Sequence, residues 1–141
     1  MPATSRRRPS TTRTASASSR RAGWQVLTNL VVNARDAMPR GGIISVELEA
    51  HPRDQAALAP SAPRDQSFVQ LSVRDTGSGI PAKIIEHIFE PLMTTKSEGT
   101  GLGLAVVHQV VTQHGGFIAA RNLPGGGAAF EILFRKAQLA E

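Results

Sequence analysis

Cysteine is absent from this 141-residue chain, which excludes disulfides and Cys-based metal sites and is consistent with a reducing compartment. Tyrosine is absent too, and Trp24 is the single tryptophan, so the 40% of hydrophobic residues that can support a core include few aromatics. No apolar run approaches the roughly 18 residues needed to span a bilayer, so the chain reads as soluble and a cytoplasmic location is expected. The length suits one small domain and not two. Acidic residues are missing from the first 22 positions, which hold six Arg (Arg6, Arg7, Arg8, Arg13, Arg20, Arg21). The remaining residues carry 10 Lys and Arg against 11 Asp and Glu, so the formal net charge of +5 belongs to a tail. The body is nearly neutral, which argues against a nucleic-acid surface on the domain itself.

Residues 1–22 are Ser, Thr, Arg, Ala and Pro, with too little apolar surface to offset the entropy of ordering, and are predicted to be disordered. Their composition resembles that of a transit peptide without the amphipathic pattern; they could contact an anionic polymer, but a solvated leader without function is the plainer reading. The domain proper is expected over residues 23–136, with a short C-terminal tail at 137–141. Residues 24–38 read as a helix ended by Pro39 and the Gly41-Gly42 turn. Ile44, Val46 and Leu48 alternate with polar residues as a half-buried strand. Residues 51–66 read as a surface loop. A second strand spans Phe68–Asp75, a short helix lies around Ala82–Ile88, and a longer one covers Leu102–His114. Two strands near Phe117–Asn122 and Ala128–Phe134 flank the turn Pro124–Gly127 as a hairpin. The fold class expected is an α/β two-layer sandwich, a mixed β-sheet with helices packed on one face.

Four stretches carry the chemistry: NLVVNARDAM from Asn29, DTGSGIP from Asp75, FEPLMTTK from Phe89 and GTGLGL from Gly99. Asn29, Asn33 and Asp36 recur at i, i+4 and i+7, forming one polar stripe at the edge of the apolar face. An Asn carbonyl there can coordinate a hard cation such as Mg²⁺, which prefers oxygen and keeps several waters. Asp75 shares the parity of Val69, Leu71 and Val73, so its carboxylate is predicted to point toward the helix layer. A buried acceptor there suits the exocyclic amine of adenine, a donor that guanine lacks at that position. Gly77 and Gly79 allow a sharp turn close to a flat base. Gly99, Gly101 and Gly103 precede and enter a helix whose N-terminal amides can hold phosphate oxygens. The pattern is not GxxxxGK[ST], which disfavours a P-loop enzyme. Lys96, beside Thr94 and Thr95, could reach terminal phosphates once its segment folds over a ligand. Singly, each stretch has an ordinary reading as a loop cap, an Asp-Gly turn or a solvated Lys. Their fixed order is what makes them evidence.

Together the four stretches resemble the N, G1, F and G2 boxes of the ATP-binding domain of sensor histidine kinases. That domain is of the Bergerat fold, shared with DNA gyrase, the heat-shock chaperone and MutL, and the resemblance covers about residues 24–135. It implies ATP and Mg²⁺ as ligands, with Asn33 as the Mg²⁺ ligand and Asp75 as the adenine partner. Gly77 and Gly79 match the G1 glycines, Gly101 and Gly103 the phosphate-contacting G2 glycines, and Phe89 to Lys96 begin an ATP lid. The ATP-binding set implied also includes Asn29, Asp36, Ile80, Thr95, Lys96, Thr100 and Leu102. Where the family's ATPases, and usually its serine kinases, carry a Glu general base, this chain has Asn29, an amide that takes no proton at neutral pH. Transfer to a separate nucleophile therefore fits better than hydrolysis, and no residue is assigned as a catalytic base. Asp36 stands where many histidine kinases have Lys, a variant that resembles the nitrogen-regulatory type and shifts phosphate neutralisation toward Lys96 and the metal.

The four His are followed by Pro, Ile, Gln and Gly, none of them the Glu or Asp that usually follows a phosphoaccepting His. The acceptor is therefore expected on a separate dimerisation domain, with a response regulator downstream. The strand that usually precedes the N box is replaced by the Arg-rich tail, which predicts an unpaired sheet edge, reduced stability and self-association. The alternatives are a serine kinase or ATPase of the same fold, and a catalytically silent nucleotide- or protein-binding module. In the last case the basic tail would engage an anionic partner.

Overall fold

The computed structural model describes residues 17–50, 67–90 and 103–135. Helix α1 spans Ala17–Asp36. Its buried stripe is Val26, Leu30 and Ala34, spaced by four so that all three meet the sheet. Pro39 forces the chain out of the helix, and the last turn closes with Met38 N–H on the Arg35 carbonyl at 3.0 Å. The helix starts earlier than residue 24, inside the segment expected to be disordered. Extending a nucleated helix through Arg21 and Ala22, both good formers, costs little. Residues 1–16, the segment 51–66 expected to be a surface loop, and the expected C-terminal tail at 137–141 lie outside the described residues.

Strand β1 is Ile44–Glu49 and β2 is Phe68–Asp75. The short helix expected around Ala82–Ile88 is only a 3₁₀ turn at Ile85–His87 between flanking turns. Helix α2 covers Gly103–Gln113 and buries Val107 and Val111. It ends in a Schellman motif: Gly116 N–H bonds the Val111 carbonyl and Gly115 N–H the Thr112 carbonyl, with Gly115 at φ 69°. Strands β3 (Phe117–Asn122) and β4 (Ala128–Arg135) form the hairpin.

The sheet order is β1-β2-β4-β3, and helices and sheet make the two-layer α/β sandwich. The mixed sheet expected from the sequence is not what the four described strands form, because all three of their pairings are antiparallel. The reason is the path. α2 carries the chain back along the sheet after β2, β3 returns, and β4 then runs opposite to β2.

The core lies between the layers, from Val26 and Leu30 of α1 through Val107 and Val111 of α2 to Val73, Phe130 and Ile132 of the sheet. Each such side chain stabilises by about 1.5–3 kcal/mol when fully buried. Edge strand β1 departs from its half-buried expectation. Val46 and Leu48 face the helix side but are 49% and 71% exposed, because the helix layer does not reach them. On the opposite face, Gln70 bonds Glu131 at 3.0 Å and Ser72 at 3.1 Å, and Arg121 pairs with Glu131. That network ties β2, β4 and β3 in register. No described helix is long and apolar enough to cross a membrane.

Candidate functional site

The α1–β1 connection, the residues after β2 and the β3–β4 turn all gather at the Asp75 end of the sheet. Asp75 itself is 3% exposed and, as its parity requires, lies on the helix side. Its Oδ1 accepts from Gly77 N–H at 2.8 Å and from Ala128 N–H at 3.3 Å. Two backbone donors on one oxygen hold the carboxylate in place and leave Oδ2 with no donor among the described residues. A buried carboxylate so divided is half structural and half available to a donor arriving from outside.

The turn that follows is held from three sides. A Cβ on Gly77 would stand 2.5 Å from the Ala37 carbonyl oxygen, so only glycine lets this turn lie against the end of α1. Thr76 Oγ1 accepts from Ile43 N–H at 3.1 Å and reaches Met38 Sδ at 3.4 Å, joining the turn to the α1–β1 connection. Gly79 sits at φ 78°, a left-handed conformation that favours glycine, and Asn122 binds the Ile80 backbone at both its N–H and its carbonyl. A Cβ on Gly127 would overlap the Asp75 carbonyl, so the hairpin turn packs directly on this segment.

On α1, Asn29 and Asn33 are half-buried and Asp36 is exposed, at the border of the buried face. Asn29 Nδ2 donates to the Gly103 carbonyl at 3.3 Å, joining the middle of α1 to the first residue of α2. Arg35 and Asp36 approach to 3.5 Å at the helix end. The structure thus brings Asn29 and Gly103 together, and Asp75, Gly77, Gly79 and Ile80 into one turn. Thr95, Lys96, Thr100, Gly101 and Leu102 lie outside the described residues.

Phe89, the first residue of the expected lid, is anchored. It stacks on His108 with centroids 5.6 Å apart and meets Phe130 edge-on at 6.2 Å. His108 is thereby engaged in packing, His114 Nδ1 sits 2.8 Å from the Val110 carbonyl, and His87 pairs with Glu90 at 2.9 Å. His51 lies outside the described residues. The described residues hold no cluster of three or more acidic, His or Cys side chains fit to bind a metal ion. An ion held by one amide oxygen, with the rest of its shell from water and phosphate, is compatible with that.

Sequence reasoning missed Thr76, Asn122, Gly127 and Ala128. The sole signal for Asn122 was its place at a strand end beside a Gly run, where it reads as an ordinary turn former.

The profile described as histidine kinase-, DNA gyrase B- and HSP90-like ATPase matches residues 19–138. Sensor kinase CckA of Brucella abortus is 47% identical over 111 residues, which are 77% of this chain and 12% of the relative. Sensor histidine kinase ZraS of Escherichia coli O157:H7 is 46% identical over 108 residues, 77% of this chain and 20% of the relative. The chain therefore spans a small part of the length of these curated relatives. Among solved structures, the nucleotide-free catalytic domain of histidine kinase ThkA matches with a TM-score of 0.66 at 34% identity. That match covers 83% of this chain and 68% of the other. Full-length ShkA in complex with AMPPNP matches with a TM-score of 0.58 at 27% identity, covering 80% of this chain and 21% of that one.

Proposed function

The chain belongs to the histidine kinase-, DNA gyrase B- and HSP90-like ATPase family, and from that premise we propose that it is the ATP-binding catalytic part of a sensor histidine kinase. It holds Mg²⁺·ATP between sheet and helices and presents the γ-phosphoryl to a His on a separate dimerisation domain. A response regulator then receives the phosphoryl group, and the reaction takes place in the cytoplasm. The observation that carries the reading is Asp75, a buried carboxylate with one oxygen saturated by backbone N–H groups and the other open to a donor. The adenine amine is a donor that fits it.

Each residue then has a physical task. Asp75 selects and orients the base, while Gly77 and Gly79 keep side chains away from its plane. The N-terminus of α2 offers backbone amides to phosphate oxygens, and Asn29 holds that terminus against α1. Asn33, four residues on, would ligate Mg²⁺ through its amide oxygen, and the ion would offset phosphate charge. Lys96, Thr95, Thr100, Gly101 and Leu102 would complete the phosphate side. Asp36 stands where many histidine kinases carry Lys, so charge neutralisation would fall to Lys96 and the ion. Asn29 accepts no proton at neutral pH, which favours positioning for transfer over activation of water. The engagement of His87, His108 and His114 in local contacts supports an acceptor outside this domain.

Incubation with γ-labelled ATP, Mg²⁺ and a separately produced acceptor domain of a related sensor kinase tests the proposal. Acid-labile label is expected on the partner and not on this chain. Asp75→Asn keeps an oxygen for Gly77 and Ala128 but puts an amine where the base must donate, so it is expected to abolish labelling while the fold survives. An unlabelled partner with the wild-type chain would sink the kinase reading.

A further inference from the structure

We propose that Asn122 is a positioning residue that sets the base-binding turn for adenine, an inference that rests on the nucleotide reading of Asp75. The turn after β2 contains Gly77 and Gly79, and glycine backbone loses more freedom on ordering than any other, so an unsupported turn here would sample many shapes. Its first half is held by Asp75 Oδ1 and by Thr76. Its second half is held by one side chain. Ile80 N–H donates to Asn122 Oδ1 at 2.7 Å, and Asn122 Nδ2 donates to the Ile80 carbonyl at 2.8 Å. A side-chain amide is the smallest group that offers donor and acceptor in one plane, so it pairs with one residue's backbone as a neighbouring strand would. Among the described residues no other hydrogen bond reaches the backbone of Ser78, Gly79 or Ile80.

The two ends of the turn share one support. Asn122 is the last residue of β3, and its sheet partner is Ala128, whose N–H holds Asp75 Oδ1. The carboxylate that meets the base edge and the backbone that meets the base face are therefore fixed to the same rung of the hairpin. Asn122 leaves no room for a side chain on the turn: a Cβ on Gly79 would stand 2.8 Å from Asn122 Oδ1. That rung fixes where the carboxylate that reads the adenine amine lies relative to the backbone beneath the base. Its loss is therefore felt more by the base that makes the edge contact than by guanine, which lacks that donor. Asn122 touches no nucleotide and acts through Ile80 and Gly79.

The test uses the full chain, titrated with a fluorescent adenine nucleotide and its guanine counterpart, together with amide exchange of Ile80 without nucleotide. Asn122→Ala is expected to weaken the adenine nucleotide roughly tenfold, as loss of a paired hydrogen bond does. The guanine counterpart should stay within about twofold, and Ile80 exchange should speed up. Asn122→Asp keeps an acceptor for Ile80 N–H and is expected to restore part of the adenine affinity. Unchanged adenine affinity in Asn122→Ala overturns the proposal. So does an equal loss for both bases, which marks general damage to the fold. If the wild-type chain binds neither nucleotide, the nucleotide reading fails, and faster Ile80 exchange then marks Asn122 as a structural clamp alone.

Discussion

Individual residues at this site do two jobs with one functional group. Asp75 spends Oδ1 on Gly77 and Ala128 and keeps Oδ2 for a ligand. Asn29 uses its Nδ2 to hold the start of α2, and a Glu in its place would offer no such donor to the Gly103 carbonyl. His87 is the residue whose titration is set by its surroundings. The hydrogen bond to Glu90, then the charge of Glu90 and of Glu86, raise its pKa above the ordinary 6.5. A raised folded value means that the His87–Glu90 pair is fully formed below about pH 6.5 and is lost as pH climbs through the folded pKa. NMR titration of the imidazole is expected to show the elevated value in the wild type and a return toward 6.5 in Glu90→Gln. Both groups are exposed, so the pair adds little stability. Its effect is local, beside Phe89 where the expected lid begins.

Among the elements, β2 and the β3–β4 hairpin were legible as residue patterns, because period-two alternation and a Gly-rich turn are local properties of the chain. The burial of β1 was not. Val46 and Leu48 alternate as a buried strand would, yet the face they share with Val73 is covered only where α1 and α2 lie. Coverage depends on a neighbour's reach, which no alternation encodes. The same reason hid Gln70, Ser72 and Glu131, polar residues that are buried on the opposite face because they satisfy one another. Leu30→Ala in α1 is expected to cost about 2–5 kcal/mol in chemical denaturation, as truncation in a packed core does. Leu48→Lys in β1 is expected to change stability by no more than about 0.5 kcal/mol. If the exposed β1 edge drives association, the same substitution lowers the concentration-dependent mass in sedimentation. A large stability loss from Leu48→Lys would show that this strand is covered after all.

At the scale of the whole molecule, three connections among the described residues gather at one end of a four-stranded sheet. A ligand that touches them exists as a ligand only for the folded chain, so binding and stability are linked. An ATP analogue at about 100 times its Kd is expected to stabilise the fold by about 2.7 kcal/mol, read as a rise in Tm. Asp75→Asn should remove most of that rise while keeping a cooperative transition in the absence of nucleotide. An equal rise in the variant would separate binding from Asp75. The candidate site divides along the same line as the fold. The residue types and their order were set in the chain: an Asn-bearing helix, an Asp ending a strand with inward parity, and glycines at two turns. These follow from spacing along one segment. Tertiary structure alone decided that Asp75 Oδ1 belongs to the backbone of β4, that Asn29 faces Gly103, and that Asn122 clamps Ile80. Those contacts join residues 53, 74 and 42 positions apart, and a hydrogen bond between distant residues exists only once packing of the layers has brought its donor and acceptor within reach.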